Sequence, residues 1–182
     1  NALENWCAKY SGPYVLSCKL DGVSGLYSTQ NNSQKLYPRG DGHEGQDISH
    51  LIPYLRLPKK SNIVVRGEFI MPKAIFEDKY KSSFANPRNM VAGIINQKTV
   101  NNSILDVHFV AYELIYPVLE CCSKQLEFLS TLDIEVVNNF QGYGFNASLH
   151  LFENVDIYTS NGKVLQSKTI EQISIGDYVR SR

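Results

Sequence analysis

The chain has 182 residues, of which 43% are hydrophobic and 11% aromatic, and its formal net charge is zero. This length and apolar content predict roughly one domain with a packed core and argue against an intrinsically disordered chain. Because DNA clamps are usually strongly basic, the neutral balance also argues against tight binding of DNA by this segment alone.

The first part of the chain predicts short strands separated by turns. A short helix is predicted over residues 2–10. Alternating side chains over residues 14–21 predict a strand, and residues 23–27 are predicted to return beside it. A polar hairpin tip at residues 28–34 then leads to a third strand over residues 36–39.

The remainder mixes strands with helices. A β-rich strand is predicted over residues 63–71, and Pro72 suits the first turn of the helix that follows it. Another strand is predicted over residues 107–114, and Ser123 is placed to cap an amphipathic helix. Strands in hairpins with interspersed helices predict the α+β class, with mostly antiparallel sheets and packed helices.

The four cysteines are Cys7, Cys18, Cys121 and Cys122, and no two of them have the C-x-x-C spacing of a zinc site. We therefore expect buried or partly buried thiols in a reducing compartment, and no zinc or other side-chain metal site in this segment. No run approaches the ~18 apolar residues of a membrane span, and no signal peptide is visible, so we expect a cytoplasmic protein without a membrane partner. Asn1 is not an initiator methionine, and we expect the chain to be a piece of a longer protein.

The motif Lys19-Leu20-Asp21-Gly22 ends the first predicted strand. A lysine amine can attack the α-phosphorus of a nucleotide when nearby cations or desolvation favour its neutral form. Asp21 leaves the strand on the same face as Lys19, where it can hold a ribose hydroxyl or a metal-bound water. Gly22 lets the backbone approach a ligand closely. An ordinary surface Lys–Asp pair is the alternative interpretation.

Arg39 opens a glycine-rich loop, R-G-D-G-H-E-G-Q-D, over residues 39–47. The exposed backbone N–H groups of such a loop suit a phosphate, and the planar guanidinium of Arg39 can grip a phosphate or a ribose. An ordinary glycine-rich turn is the alternative. An integrin-type R-G-D motif is contradicted by the lack of secretion signals.

Arg66 and Glu68 are charged residues inside the apolar strand predicted over residues 63–71. Burying a charge costs several kcal/mol unless the charge is paired. Two explanations stay open: Arg66 and Glu68 pair with each other, or Glu68 faces a polar ligand such as a ribose or the hydration shell of Mg²⁺. The alternation of the strand places both on one face, with Phe69 and Met71 on the other.

Two later stretches contain residue types that favour nucleotides. F-A-N-P-R-N-M-V-A-G, over residues 84–93, predicts a turn running into a helix with Arg88 at its start, a position that favours anions. F-V-A-Y-E-L, over residues 109–114, places Tyr112 in a strand, from which an aromatic ring can stack on a purine. A plain loop-to-helix junction and a core aromatic are the respective alternatives.

Taken in this order, the motifs resemble the adenylation (nucleotidyltransferase) domain of NAD-dependent DNA ligases. The resemblance runs from about Pro13 to Val137 through K-L-D-G, R-G-D-G-x-x-G-x-D, V-R-G-E-x-x-M-P, F-A-N-P-R-N-x-x-A-G and F-x-A-Y-E-L. F-A-N-P-R-N is its most specific part, because ATP-dependent ligases and capping enzymes share the lysine motif but not that stretch. The resemblance implies a DNA ligase/capping-enzyme-like nucleotidyltransferase fold.

The resemblance also implies an activity and a set of site residues. Lys19 matches the catalytic nucleophile that takes AMP from NAD, with Mg²⁺ and with release of nicotinamide mononucleotide, for sealing nicked double-stranded DNA in replication and repair. The residues implied around the nucleotide are Ser17, Asp21 and Gly22 at the lysine motif, Arg39 near the nucleotide, Glu68 at the ribose, Arg88 on the active-site surface and Tyr112 beside the adenine.

The chain departs from the family pattern at two positions. Ser17 replaces the usual glutamate, so a contact there survives only if it uses the main chain. Asn96 replaces the second arginine of an S-L-R-Q stretch, which should weaken contact with phosphate or with the DNA backbone. Asn96, together with a missing N-terminal domain and incomplete later motifs, supports an alternative function, a catalytically incomplete module that binds a nucleotide or a partner.

Larger parts of the family's enzymes are expected to be missing. Only 18 residues precede Lys19, which leaves no room for the N-terminal domain that recognises nicotinamide mononucleotide. The zinc module, the helix-hairpin-helix region and the BRCT domain are also expected to be absent. DNA contact would then depend mainly on those missing domains.

We predict two regions, an incomplete adenylation core over residues 1–150 and an uncertain tail over residues 151–182. Asn161-Gly162-Lys163-Val164 with Lys168 is a degenerate candidate for the later motif D-G-x-V-x-K, with Asn161 in place of the acid. Three interpretations of the tail stay open: the rest of the adenylation domain or the start of an OB-fold, the opening of a Hint (intein-type) domain, or an unrelated ending.

Overall fold

The computed structural model describes residues 8, 14–40, 45–142, 154–159 and 168–169. The strands are β1 (Tyr14–Cys18), β2 (Val23–Ser28), β3 (Lys35–Pro38), β4 (Val64–Ile70), β5 (His108–Tyr116), β6 (Asn139–Gly142), β7 (Asn154–Thr159) and β8 (Lys168–Thr169). The α-helices are α1 (Lys73–Lys79), α2 (Pro87–Asn96) and α3 (Cys122–Ser130). Short 3-10 turns cover Gln30–Asn32, Ser49–Tyr54 and Asn102–Asp106. The helix predicted over residues 2–10 falls outside the described residues, apart from Ala8.

The chain divides into two compact units, each with its own sheet. The first unit comprises Asn1–Leu20, Leu119–Glu127 and Val137–Arg182, and the second comprises Asp21–Val118 and Phe128–Val136. The first contains a four-stranded sheet in the order β6-β1-β7-β8, and the second a four-stranded sheet in the order β3-β2-β4-β5. All of these strand pairs are antiparallel. The predicted α+β class with mostly antiparallel sheets is confirmed.

The pairing of the first two strands differs from the prediction. β1 pairs with β6 and β7, whereas β2 pairs with β3 and β4, so residues 23–27 do not return beside the first strand. Gly22, which lies between β1 and β2, packs directly on β4. A Cβ atom added at Gly22 would lie only 2.0 Å from the carbonyl oxygen of Phe69. The chain after the lysine motif is therefore held by a distant strand and not by a local hairpin.

Replacing Gly22 with alanine is expected to destabilise the protein by about 1–3 kcal/mol, the usual cost of overpacking. The obstacle is a backbone oxygen of β4, which cannot rotate away as a side chain would. Urea unfolding of Gly22→Ala measures this cost. Gly93→Ala is the matched control, because an added Cβ at this exposed helical glycine meets no atom within 4 Å. The control should gain about 0.5–1 kcal/mol, and a Gly22→Ala variant as stable as the parent would contradict the close approach.

The core face of the second sheet is built from two phenylalanines that lie over two glycines. A Cβ at Gly25 would lie 2.3 Å from the ring of Phe69, and one at Gly67 would lie 2.6 Å from the ring of Phe109. The two rings pack against each other, with centroids 5.2 Å apart and planes tilted by 56°. Phe69 and Met71, which the alternation of β4 places on one face, are both buried.

Two local features predicted from the sequence can be compared with the structure. The hairpin tip between β2 and β3 is a 3-10 turn in which Asn31 and Asn32 have φ angles of 55° and 54°, a left-handed conformation that asparagine tolerates. The amphipathic helix predicted near Ser123 is present and buries Leu126 and Leu129, but it begins at Cys122, so the prediction that Ser123 caps it is wrong. In the described part of the chain, no helix has both the length and the apolar character that a membrane crossing requires.

Candidate active site

Lys19 lies in the first unit, directly after β1, the strand that pairs on both sides with β6 and β7. The main chain before it is held by a hydrogen bond of 3.0 Å from the N–H of Cys18 to the carbonyl oxygen of Asn138. Ser17, two residues before the lysine, has a side chain that is 4% exposed. Lys19 itself is half-buried. The lysine thus extends from the end of a strand whose backbone is paired on both edges.

The start of β7 also lies beside the end of β1. The two strands run antiparallel, and Cys18 is paired in register with Val155. The tail segment that accompanies the lysine-bearing strand is therefore Asn154–Thr159. The candidate motif over residues 161–164 lies outside the described residues, as does most of the tail.

In the second unit, residues from three separate motifs lie in one row across the sheet. Ser24 of β2 is the register partner of Glu68 of β4, so their side chains lie on the same face. Arg39 follows β3, and its backbone N–H donates a hydrogen bond of 2.8 Å to the carbonyl oxygen of Ser24. Arg39, Ser24 and Glu68 are far apart in sequence, and strand pairing makes them neighbours.

Tyr112 reaches the same row through a β-bulge in β5. Arg66 is paired with Glu113 but Gly67 with Ala111, which leaves Tyr112 as the extra residue. The hydroxyl oxygens of Tyr112 and Ser24 are 2.8 Å apart and share a hydrogen bond. The Tyr112 side chain therefore extends across β4 on the face that bears Glu68. The ring is half-buried, which differs from the fully buried core aromatics of this sheet.

Glu68 is buried beside Gly22, the last residue of the lysine motif. It is 4% exposed, and its Cγ atom would be 3.0 Å from a Cβ atom placed on Gly22. Arg66 forms an ion pair with Glu113 on β5, with 2.5 Å between nitrogen and oxygen, a partner that the sequence did not indicate. Two predicted site residues, Gly22 and Glu68, are thus in close proximity.

The F-A-N-P-R-N stretch begins helix α2, as predicted. The side-chain oxygen of Asn86 accepts a hydrogen bond of 2.8 Å from the N–H of Asn89, and Pro87 occupies the first turn. Arg88 donates a hydrogen bond of 3.4 Å to the carboxylate of Asp21, with side chains that are 62% and 73% exposed. An exposed pair of this length adds little stability, so Arg88 can exchange Asp21 for an incoming anion. At the far end of this helix Asn96 is exposed.

The glycine-rich loop is described only at its two ends, since residues 41–44 lie outside the described residues. At the second end, Asp47 accepts hydrogen bonds of 2.9 Å from the backbone N–H of Ser49 and from the Nζ of Lys35. Hydrogen bonding from Ser49, and then from Lys35, holds the pKa of Asp47 well below its ordinary value. The end of the loop is thereby tied to the start of β3, at the opposite end of the strand from Arg39. Within the described ranges, no group of three or more His, Cys, Asp or Glu side chains could hold a metal ion.

Comparison with known proteins identifies the family. Residues 3–165 match the model of the NAD-dependent DNA ligase adenylation domain. The chain belongs to this family. The adenylation domain is 45% identical over 145 residues to the DNA ligase of Acanthamoeba polyphaga mimivirus. This alignment covers 75% of the chain and 22% of the viral protein. It is 34% identical over 166 residues to the DNA ligase of Clostridioides difficile strain 630, covering 81% of the chain and 24% of that ligase. The chain therefore spans less than a quarter of either relative.

A solved structure has the same fold at low sequence identity. The ligase domain from M. tuberculosis LigD matches with a TM-score of 0.56 and 18% identity, over 95% of this adenylation domain and 55% of that chain. The predicted ligase-type nucleotidyltransferase fold is confirmed.

One residue of the row, Ser24, was not among the predicted site residues. It belongs to no motif, and a half-buried serine in a strand carries no signal of its own in the sequence. Its importance becomes visible only when β3, β4 and β5 are paired around β2. The sequence could at most indicate that Ser24 lies two residues after Gly22, in the strand that follows the lysine motif.

Proposed function

We propose that this adenylation domain serves an NAD-dependent DNA ligase in which Lys19 takes AMP from NAD. The observation that carries the proposal is the convergence of Arg39, Glu68 and Tyr112 on the row around Ser24 in the second unit. Three motifs that are distant in sequence supply a cation, a carboxylate and an aromatic ring there, which are the groups that can bind a phosphate, a ribose and a purine.

The chemistry follows from the groups available. The neutral amine of Lys19 attacks the α-phosphorus of NAD after losing a proton to solvent. A phosphorus–nitrogen bond forms, the phosphorus–oxygen bond of the pyrophosphate breaks, and nicotinamide mononucleotide leaves with the electron pair. Arg39 and Arg88 are proposed to stabilise negative charge on the phosphorus oxygens, because fixed cations act where the charge develops. Glu68 accepts a hydrogen bond from the ribose, and Tyr112 stacks on the adenine.

We also propose that Mg²⁺ binds together with the nucleotide. Mg²⁺ usually keeps several waters and binds through one or two carboxylates together with substrate phosphates, so it needs no dedicated cage of side chains. The carboxylates of Asp21 and Glu68 are the groups proposed to contact its waters. When bound, the ion supplies positive charge to the phosphate oxygens.

In a complete enzyme the AMP would pass to a DNA 5′-phosphate, followed by nick sealing in replication and repair. The neutral charge of the chain supports a division of labour in which other parts of a larger protein hold the DNA. We retain residues 1–150 as the proposed adenylation core and residues 151–182 as the tail.

The test is covalent labelling of the protein. Incubation with Mg²⁺ and NAD labelled in the adenine should produce a protein–AMP adduct, which mass spectrometry should place on Lys19. ATP with the same label is the matched cofactor control and should give none. An adduct formed from ATP and not from NAD would overturn the proposed cofactor.

A second candidate function is binding of a nucleotide without turnover. Asn96 favours it, because this exposed residue replaces an arginine that the family usually has, which should weaken contact with phosphate or with the DNA backbone. Calorimetry with AMP and with NAD separates the two functions. Binding of AMP or NAD without formation of an adduct supports nucleotide binding without turnover. An adduct formed from NAD supports the ligase function.

A further inference from the structure

Ser24 connects two residues of the proposed nucleotide site by two different groups. Its carbonyl oxygen accepts a hydrogen bond of 2.8 Å from the backbone N–H of Arg39. Its hydroxyl lies 2.8 Å from the hydroxyl of Tyr112. On its other side it is paired in register with Glu68. Ser24 is therefore at the centre of the row across the second sheet.

Tyr112 is the extra residue of the bulge in β5. A bulge redirects a side chain relative to the regular pleat, and here the redirected side chain meets Ser24. The hydrogen bond to Ser24 spans from β5 across β4 to β2 and holds the far end of the phenol ring. An aromatic ring fixed at both ends loses less conformational freedom when a base stacks on it.

We propose that Ser24 is a positioning residue for purine recognition, acting through Tyr112. The inference rests on the proposed function, since it assigns to Tyr112 the adenine of NAD. Ser24 holds the Tyr112 ring in the orientation on which a purine stacks. It contacts neither the α-phosphorus of NAD nor the amine of Lys19. Its effect should therefore appear in nucleotide binding and not in the chemical step.

The first test is the NAD dependence of the adenylation rate. Ser24→Ala should raise the half-saturating NAD concentration by about 3- to 10-fold, as expected for loss of one neutral hydrogen bond, and leave the maximal rate within about twofold. Ser24→Thr keeps the hydroxyl and should restore the parental value. Ser28→Ala is the matched control, because Ser28 lies on the same face of β2 and its hydroxyl accepts a hydrogen bond of 3.3 Å from Gln30, outside the row.

The second test distinguishes loss of the hydrogen bond between Ser24 and Tyr112 from a general loss of stability. Tyr112→Phe should weaken NAD binding as much as Ser24→Ala, and the double variant should be no worse than either. Equal effects of Ser24→Ala and Ser28→Ala on half-saturation would overturn the inference, and so would additive effects of Ser24→Ala and Tyr112→Phe.

The third test does not depend on the proposed function. In the free protein with ring-labelled tyrosine, Ser24→Ala should shift the NMR resonances of the Tyr112 ring, and Ser28→Ala should leave them in place. Unshifted resonances would overturn the inference that Ser24 positions the Tyr112 ring. If the unmodified chain gives no adduct and binds no AMP, the proposed function fails, and the purine-recognition role fails with it. The resonances still show whether Ser24 positions the Tyr112 ring.

Discussion

Lys19→Ala is expected to abolish the covalent AMP adduct formed from NAD. The adduct requires a nitrogen electron pair at the α-phosphorus, and alanine supplies none. Lys19→Arg should fail in the same way, because a guanidinium stays protonated in proteins and cannot act as the nucleophile. The measurement is the incorporation of adenine label into the protein, followed by mass spectrometry of the peptides.

The controls for this prediction separate chemistry from charge and from folding. Lys98→Ala removes an exposed lysine elsewhere in the chain and should leave the label at the parental level. Unfolding curves of the Lys19 variants should match the parent, since Lys19 follows β1 and is not part of its ladder. An adduct that persists in Lys19→Ala would show that another residue is the nucleophile.

Glu68→Ala is expected to weaken the adenylation step by about 1.5–3 kcal/mol, the range for a hydrogen bond to a charged group. This corresponds to a rate about 10- to 150-fold lower. Glu68 is buried beside Gly22 and is aligned with Ser24, and in the proposed function its carboxylate accepts a hydrogen bond from a ribose hydroxyl or a metal-bound water. The measurement is the single-turnover rate of adduct formation at saturating NAD.

Two further variants separate the charge of Glu68 from its packing. Glu68→Gln keeps the volume and removes the charge, so it should lower the adenylation rate while folding stability stays close to the parent. Glu113→Gln is the matched control, because it removes a carboxylate on the neighbouring strand whose partner is Arg66. That control should change the adenylation rate little. If Glu68→Ala adenylates normally but loses thermal stability sharply, Glu68 has a structural role and not a ligand-binding role.

The sequence was sufficient for features that depend on a few neighbouring residues. The period of two in β4 placed Arg66 and Glu68 on one face and Phe69 on the core face, and the structure agrees. The Asn86-Pro87 pair marks a helix start because the cap and the first turn are local chemistry. The ordered set of motifs was enough to indicate the family, which the comparison confirmed.

The candidate site itself was predictable only as a list of residue types. Arg39, Glu68, Arg88 and Tyr112 were selected by resemblance, and nothing local in the sequence showed that Arg39 and Tyr112 share a neighbour. The ion pair of Arg66 could not be predicted either, since its partner Glu113 depends on the register between β4 and β5. Whether these residues act on NAD stays a prediction for the variants above.

The sequence by itself therefore determined strands β1 to β5, the helix start at Asn86-Pro87 and the family of this chain, because each depends on short-range patterns or on the order of motifs. Only the tertiary structure decided that β1 and β2 belong to different sheets, and that Gly22 packs on β4. It also decided that a bulge directs Tyr112 to Ser24. The physical reason is that strand partners and one-residue register shifts are set by contacts between distant segments, and a local alternation pattern is compatible with many such pairings.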